Sequence, residues 1–561
     1  MQTWRRAFAT SVRRLNHSPT SHPRPTALRC AQILQSSKRN GPCSLEDQEI
    51  KVNGFIRSVR KQKRFAFAEI SDGSTLKPLQ AILKPAQAAD LSTGAAVEIS
   101  GIWKACPPGK EQTHELQTTD VAVVGASDPE VGICCNFPRQ RTQDLTVASH
   151  SQTFPIQKKY HSSDFLRQIP HLRMRTPLYS LLSRFRSECL FQLGNVFHSY
   201  PIGGFTQVQP PIITSSDCEG AGETFTLVPR GAAAVSANES DHFFRAPKYL
   251  TVSSQLHLEA YAAELGNVWT LTPVFRAEKS DTPRHLSEFY MLEAEANFMY
   301  NLNALTDQVE YLLRDLTRRL YDTPVAQEIL SVKRTGESGQ ESSSDESVST
   351  LHHRWAAVMD GPKWSRITYT EAIRMLQRAI AENGASFEHA PTWDGGLQLE
   401  HEKYIVEVLF QDSPVFVTDY PKAVKPFYMA PSQPSDGEHS APGETVACFD
   451  LLLPEVSEVA GGSLREHRLP NLIQNMREHG LIKPRLSADP DAPAPSEPLY
   501  PHLSPTEDLG HLQWYADLRR WGSAPHGGFG LGFDRFLGYL SGVSSVRDVV
   551  SFPRYFGRAD C

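Results

Sequence analysis

Arg276, Glu278, Arg284, His285, Glu288 and Phe289 crowd into one segment, Trp269 to Glu295, which reads as strand, polar loop, strand. Arg276 and Glu278 close the first strand; Arg284, His285, Glu288 and Phe289 open the second. A hairpin with fixed charges at its mouth and a flat ring beside them suits a nucleotide. An arginine matches a phosphate with fork geometry, and a phenylalanine stacks on a base. On physics alone an ordinary charged hairpin fits equally well. A second pattern lies near the C-terminus, where glycines at 527, 528, 530, 532 and 538 surround Arg535 at the head of a helical run. It lacks the lysine of a phosphate loop and does not open a βαβ unit. A glycine-rich strand feeding a helix does let backbone and guanidinium come close to a ligand.

The elements that must hold these residues follow from periodicity. Residues 50–125 alternate in short strands, with Asp72-Gly73 as a hairpin signal between two of them. About five strands in roughly 80 residues predict a small barrel of the OB type, a sandwich fragment being the plainer alternative. Residues 129–175 have no steady period and read as a linker with short helices. Leu178 to Tyr200 has helical spacing through Leu181, Leu182, Phe185, Leu190, Leu193 and Phe197 and stops at Pro201 and Gly203-Gly204. Strands and helices then alternate to Cys561, interrupted by polar insertions at 335–349, 384–399, 431–444 and 483–509.

The chain has 561 residues, too many for one core, and 40% of them are apolar. No apolar run of about 18 residues is present, which argues against a spanning helix. Nine scattered cysteines, never spaced as CxxC, predict reduced thiols with neither a disulfide frame nor a structural zinc. A net charge of -6 does not advertise nucleic-acid binding, although local basic patches outweigh the sum. The first forty residues differ: they carry Arg5, Arg6, Arg13, Arg14, Arg24, Arg29, Lys38 and Arg39, and no acid precedes Glu46. This composition predicts a transit peptide over 1–40 and a mitochondrial matrix protein; a disordered basic tail is the alternative.

Taken together, the hairpin around Arg276 and the glycine-rich segment around Arg535 resemble motifs 2 and 3 of the class II aminoacyl-tRNA synthetases. Phe205 to Thr214, with Pro211, resembles motif 1. A barrel N-terminal to these motifs is the arrangement of the subclass for asparagine, aspartate and lysine. Cys218 to Phe225, Tyr249 to Glu259, Val417 to Met429, Gly461 to Arg468 and Trp514 to Arg519 are similar to the asparaginyl, mitochondrial-type form. The resemblance implies an α+β fold: an OB-fold anticodon-binding domain over 48–128, a linker over 129–175, and a catalytic domain over 176–561 built on an antiparallel sheet flanked by helices.

It also implies roles. Arg276, Glu278, Arg284, His285, Phe289, Gly532 and Arg535 would bind ATP, with Arg276 on the α-phosphate, Arg535 on the γ-phosphate and Phe289 on adenine. Glu219 and Gln255 would hold the ammonium of the amino acid. Glu293 and Arg465 would meet its side chain. Leu258 stands where aspartyl relatives carry a lysine, so the pocket has one cation fewer and favours asparagine over aspartate. Asp450 and Glu458 would hold Mg2+ beside the phosphates, as oxygen ligands do for a hard cation. Phe67 and Gln80 would contact anticodon bases of tRNA(Asn), although alternation alone leaves Phe67 free to be core. The implied reaction is ATP-dependent charging by a homodimer. An aspartyl enzyme, an amide-forming relative without the barrel and a non-catalytic RNA-binding relative are the alternatives.

Overall fold

The computed structural model describes residues 27–37, 44–107, 109, 112–127, 154–215, 224–229, 242–332, 344–433, 441–485 and 496–561. Two compact units divide the chain, one ending at Tyr160 and the other beginning at His161.

In the first unit, strands β1 (Glu49–Lys61), β2 (Ala66–Ser71), β3 (Leu79–Leu83), β4 (Ala96–Ala105) and β5 (His114–Gly125) close into a barrel in the order β1-β2-β3-β5-β4. Only β3 and β5 pair in parallel. The period-2 pattern sends Ile50, Val52, Ala66, Ala68, Ile70, Leu79, Ala81 and Leu83 into a dry interior, as pleated strands require. The expected OB-like barrel is therefore present.

One expectation is corrected at its edge. Of the residues assigned to the presequence, 28–37 belong to the barrel. Leu28 bridges to Val52, and helix α1 (Cys30–Ser36) buries Cys30 and Ile33 completely in the barrel core. Asp72 accepts from the Arg29 guanidinium at 2.8 Å and from the Cys30 amide at 3.1 Å, and Trp103 Nε1 donates to Ser37 Oγ at 3.0 Å. The acid-free composition hides this, because Arg29 finds its acid more than forty positions away. Residues 1–26 lie outside the described residues. Compared with a chain beginning at Ala27, one beginning at Lys38 is expected to lose on the order of 3 kcal/mol of barrel stability, the burial of two apolar side chains. Thermal denaturation of the two chains checks this, and equal melting temperatures would contradict it.

The second unit has twelve described strands, eight of them in one large sheet. In chain order the strands are β6 (Thr206–Gln207), β7 (Ile213–Thr214), β8 (Tyr249–Leu250), β9 (Val268–Phe275), β10 (Glu288–Asn297), β11 (Ser365–Thr368), β12 (Val415–Pro421), β13 (Thr445–Leu453), β14 (Ser457–Leu464), β15 (Lys483–Pro484), β16 (Glu507–Asp508) and β17 (His526–Gly532). The large sheet runs β11-β12-β13-β14-β17-β10-β9-β6, antiparallel except at its two edges, while β7 pairs with β8 and β15 with β16. The central strands are glycine-rich for a steric reason. A Cβ at Gly528 would collide with Glu295 Oε2 and the Ala294 carbonyl oxygen, and one at Gly530 would stand 3.1 Å from Met291 Sδ.

The segment expected to be linker ends in two short helices, α2 (Ser163–Gln168) and α3 (Pro170–Arg173), that pack within the second unit. Arg173, with no exposed surface, donates to the carbonyl oxygens of Ser551 and Arg547, and Asp548 accepts from Arg167 and from the Tyr179 hydroxyl. Helix α4 (Pro177–His198) follows, started by Thr176 as N-cap and Pro177 at N1. Its inner stripe holds Leu181, Leu182, Phe185, Cys189, Leu193 and Phe197, whereas Leu190, expected inside, is 43% exposed. A 3.6-residue period brings Cys189, not Leu190, onto the face of Phe185 and Leu193.

Among the expected insertions, 384–399 is irregular but anchored, since the Tyr369 hydroxyl donates to the Trp393 carbonyl at 2.9 Å. Residues 344–349 already belong to the helix Ser344–Met359. The described ends of 483–509 pair as β15 and β16 and bury Tyr500 and Leu503. No described helix is long and apolar enough to cross a membrane.

Candidate active site

Two cavities open side by side on the central strands. One, of about 270 Å³, is walled by Arg276, Glu278, Arg284, His285, Phe289, Gly532 and Arg535. The other, of about 510 Å³, is walled by Ser253, Gln255, Leu258, Glu293, Asp450 and Arg465. Both are lined by Arg276, Met291, Glu458, Gly461 and Gly530. A phosphate group in the first and a carboxylate in the second would thus share Arg276.

The register of the hairpin places the first set. Phe289 lies opposite Val274 and Glu288 opposite Phe275, so Arg276 and Phe289 meet at the strand ends. The Arg276 guanidinium stands 5.7 Å from the Phe289 ring centre and 3.9 Å from Glu278 Oε1. His285 Nε2 is 3.5 Å from Glu278 Oε2, and its Nδ1 contacts Ser280 Oγ at 3.0 Å. Burial lowers the pKa of His285, with Arg535, Arg284 and Arg547 adding to the effect, so the ring disfavours a proton. Arg284 donates to the Val456 carbonyl and Arg535 to the Glu458 carbonyl. Arg535 projects from the helix Phe533–Ser541, which begins directly after Gly532. This cavity is cationic, ringed by a stackable face, and suited to a polyanionic nucleotide.

Helix α5 (Gln255–Leu265) and strand β10 place the second set. Glu293 is buried and accepts from the Ser253 hydroxyl and, at 3.0 Å, from the Ser254 amide. Burial pushes its carboxyl above the usual range. Leu258 packs with Val208, Ala262 and Val268 while touching the cavity. Arg465 donates to both oxygens of Glu295, at 3.1 and 3.0 Å, and to Ser463 Oγ at 2.7 Å. Glu219 lies outside the described residues.

The acidic wall differs from expectation in one contact. Asp450 accepts two hydrogen bonds from Lys425 Nζ, at 3.1 and 2.9 Å. The Glu458 amide donates to Glu402 at 3.4 Å. Burial, then the neighbouring Glu458 and Asp450, push Glu402 up to about 7, and burial with Asp450 raises Glu458 as well. Lys425 already matches Asp450, and Arg535, Lys425 and Arg276 act on Glu458, so what these carboxylates offer a hard divalent cation is oxygen donors of the right kind, partly matched by protein cations. In sequence Lys425 is marked only by lying between Val417 and Met429, and Glu402 by nothing.

A buried polar network behind the second cavity was not anticipated either. Glu259 Oε2 accepts from Arg519 at 2.6 Å, from the Tyr515 hydroxyl at 2.9 Å and from His526 at 3.1 Å, while Glu259 Oε1 accepts from Gln255 Nε2 at 3.1 Å. Burial alone would raise this carboxyl, but Arg519, His526 and Arg465 outweigh it and hold it well below the usual range. Glu259, Glu295 and His526 lie within 4.8 Å of one another, yet guanidinium groups occupy both carboxylates, and we read the cluster as ion pairs. The alternation Glu293-Ala-Glu295 on one strand face was the available signal.

On the barrel, Phe67 and Gln80 share the outward face, since Ala66, Ala68, Leu79 and Ala81 take the interior. The Arg60 guanidinium stands 6.0 Å from the Phe67 ring centre, and Gln80 Nε2 donates to Glu115 at 3.2 Å. Phe65, beside Lys63 and Arg64, is more than half exposed.

Comparison with known proteins fits this geometry. Residues 162–555 match the profile of the family described as tRNA synthetases class II (D, K and N). The chain is 38% identical over 515 residues to "Asparagine--tRNA ligase, mitochondrial" of Saccharomyces cerevisiae, covering 90% of this chain and 92% of that protein. It is also 38% identical over 521 residues to the protein of the same name from Schizosaccharomyces pombe, covering 91% and 94%. Among solved structures, asparaginyl-tRNA synthetase from Pyrococcus horikoshii complexed with asparaginyl-adenylate superposes with a TM-score of 0.68 at 26% identity, covering 95% of this chain and 99% of that one.

Proposed function

Because the chain belongs to the asparagine–tRNA ligase family of class II synthetases, we propose that it activates asparagine with ATP and loads it onto tRNA(Asn) for mitochondrial translation. The observation that carries the site assignment is the junction of the two cavities at Arg276 and Glu458. ATP lies in the first cavity with adenine on Phe289. Glu278, Arg284, His285, Gly532 and Arg535 bound the phosphates, Arg535 on the γ-phosphate. Asparagine lies in the second, its ammonium toward Gln255 and its side-chain amide between Glu293 and Arg465, with Leu258 adding no charge; the resemblance assigns the ammonium to Glu219 as well.

In the first step a carboxylate oxygen of asparagine attacks the α-phosphorus, the bond to the bridging oxygen breaks, and pyrophosphate leaves with that electron pair. The nucleophile is already ionised, so positioning and charge neutralisation supply the catalysis. Arg276 serves both reacting groups. A magnesium ion held by Glu458 with Asp450 would add positive charge beside the phosphates. In the second step the 3′-hydroxyl of the terminal tRNA adenosine attacks the activated carbonyl, AMP leaves, and the hydroxyl proton passes to solvent or phosphate.

The outward Phe67 and Gln80 support reading of unpaired anticodon bases by the barrel. Phe67→Ala is expected to lower kcat/KM for tRNA(Asn) about 10- to 100-fold, the worth of one base–ring stack, while leaving adenylate formation unchanged. Loss of both activities together would contradict this. Exposed Leu178, Ile202, Ile212 and Ile213 support a homodimer formed through α4 and the segment after it. Location in the mitochondrial matrix rests on the basic, acid-free N-terminus and on the mitochondrial relatives. A reporter fused to residues 1–40 should reach the matrix, and a cytosolic reporter would contradict it. The overall reading is tested by charging a tRNA(Asn) transcript with labelled asparagine; a chain that activates asparagine but never charges the transcript would overturn the second step.

A further inference from the structure

Glu259 touches neither nucleotide nor amino-acid space, yet it joins both specificity elements of the second cavity. Its Oε1 holds the Gln255 amide at 3.1 Å, and the same oxygen stands 4.0 Å from Arg465 Nε. Its Oε2 anchors Arg519 and His526, and its side chain is 1% exposed. Arg465 is meanwhile clamped by both oxygens of Glu295. Two carboxylates, Glu259 and Glu295, therefore match two guanidiniums, Arg519 and Arg465, with His526 bound to Glu259, while Glu293 lines the cavity on Ser253 and Ser254.

We propose that Glu259 is a positioning residue that sets the preference for a neutral side chain, by spending the charge of Arg465 and Arg519 and by fixing Gln255. A side-chain amide needs only hydrogen bonds from such a wall. A side-chain carboxylate needs a cation that is not already matched, and Arg465 and Arg519 are already paired with Glu295 and Glu259. Glu259 thus adds to the effect of Leu258, which supplies no charge, by cancelling the charge that is present.

The inference rests on the asparagine-activating reading, and its test separates the two. Full-length wild type, Glu259→Gln and the double variant Glu259→Gln/Arg519→Met are compared by ATP–pyrophosphate exchange over asparagine and aspartate concentration series. With Glu259→Gln, kcat/KM for asparagine should fall about tenfold, mainly through KM, while that for aspartate should rise about tenfold. Adding Arg519→Met removes one cation and should return the ratio of the two substrates toward wild type, although another contact has been lost. A merely structural role predicts the opposite: both substrates decline together and the double variant is worse than the single one. That result overturns the proposal. If the single variant does not fold, the double variant decides alone, because it leaves no unmatched buried guanidinium at Arg519: a ratio near wild type supports the charge account and a collapsed ratio overturns it. A wild type that activates neither amino acid defeats the functional reading itself.

Discussion

Arg465→Leu is expected to abolish asparagine activation, lowering kcat/KM by three orders of magnitude or more. Removing one partner of a buried ion pair costs about 3–5 kcal/mol, because the other charge stays behind without compensation. Here the charge left behind is Glu295, buried and packed so tightly against Gly528 that not even a Cβ fits between them. Arg465→Lys should lie in between: it keeps the charge but loses the two-point contact with Glu295 and the bond to Ser463. Steady-state exchange kinetics with a thermal melt on each variant distinguish lost recognition from lost stability. An Arg465→Leu protein that activates asparagine within tenfold of wild type would contradict the assignment.

Arg276→Ala should have the second-largest effect, about 10²–10³ in kcat, the usual loss when a donor to developing charge is removed. Its signature differs from that of Arg465. Arg276 is part exposed at a strand end, so the melting temperature should change little, and KM for asparagine should move less than kcat. Single-turnover adenylate formation measures this directly. A rise in KM with kcat unchanged would show that Arg276 binds the ground and transition states equally and contradict this role.

The parts of this protein that announce themselves in sequence are those in which chemistry and periodicity agree. The alternation of Ala66, Ala68 and Ile70 with Phe67 and Glu69 locates the barrel wall, and the pairing of β1 with β2 then decides that Phe67 faces outward. The hairpin that carries Arg276 and Phe289 is equally legible, because charges cluster at strand ends where side chains from both strands converge. What stayed hidden depends on contacts between distant positions. Glu259, Glu295, Arg465 and Arg519 are charged, and charged residues read as surface until a fold brings their partners together. Asp450 is held by Lys425 for the same reason. The helix at Cys30–Ser36 was concealed by the surrounding basic composition, since only the barrel supplies Asp72 to Arg29 and a dry core to Ile33.

The helix also bears on the choice of protein for any assay. A chain trimmed at residue 40 would lose it, whereas one beginning at Ala27 retains Leu28, Arg29 and the whole of α1. ATP–pyrophosphate exchange with this chain and magnesium, asparagine against aspartate, is the most direct test of the central claim. Exchange with asparagine and little with aspartate is the predicted result. Exchange driven by aspartate would contradict the account of the pocket, and exchange with neither would contradict the account of the site.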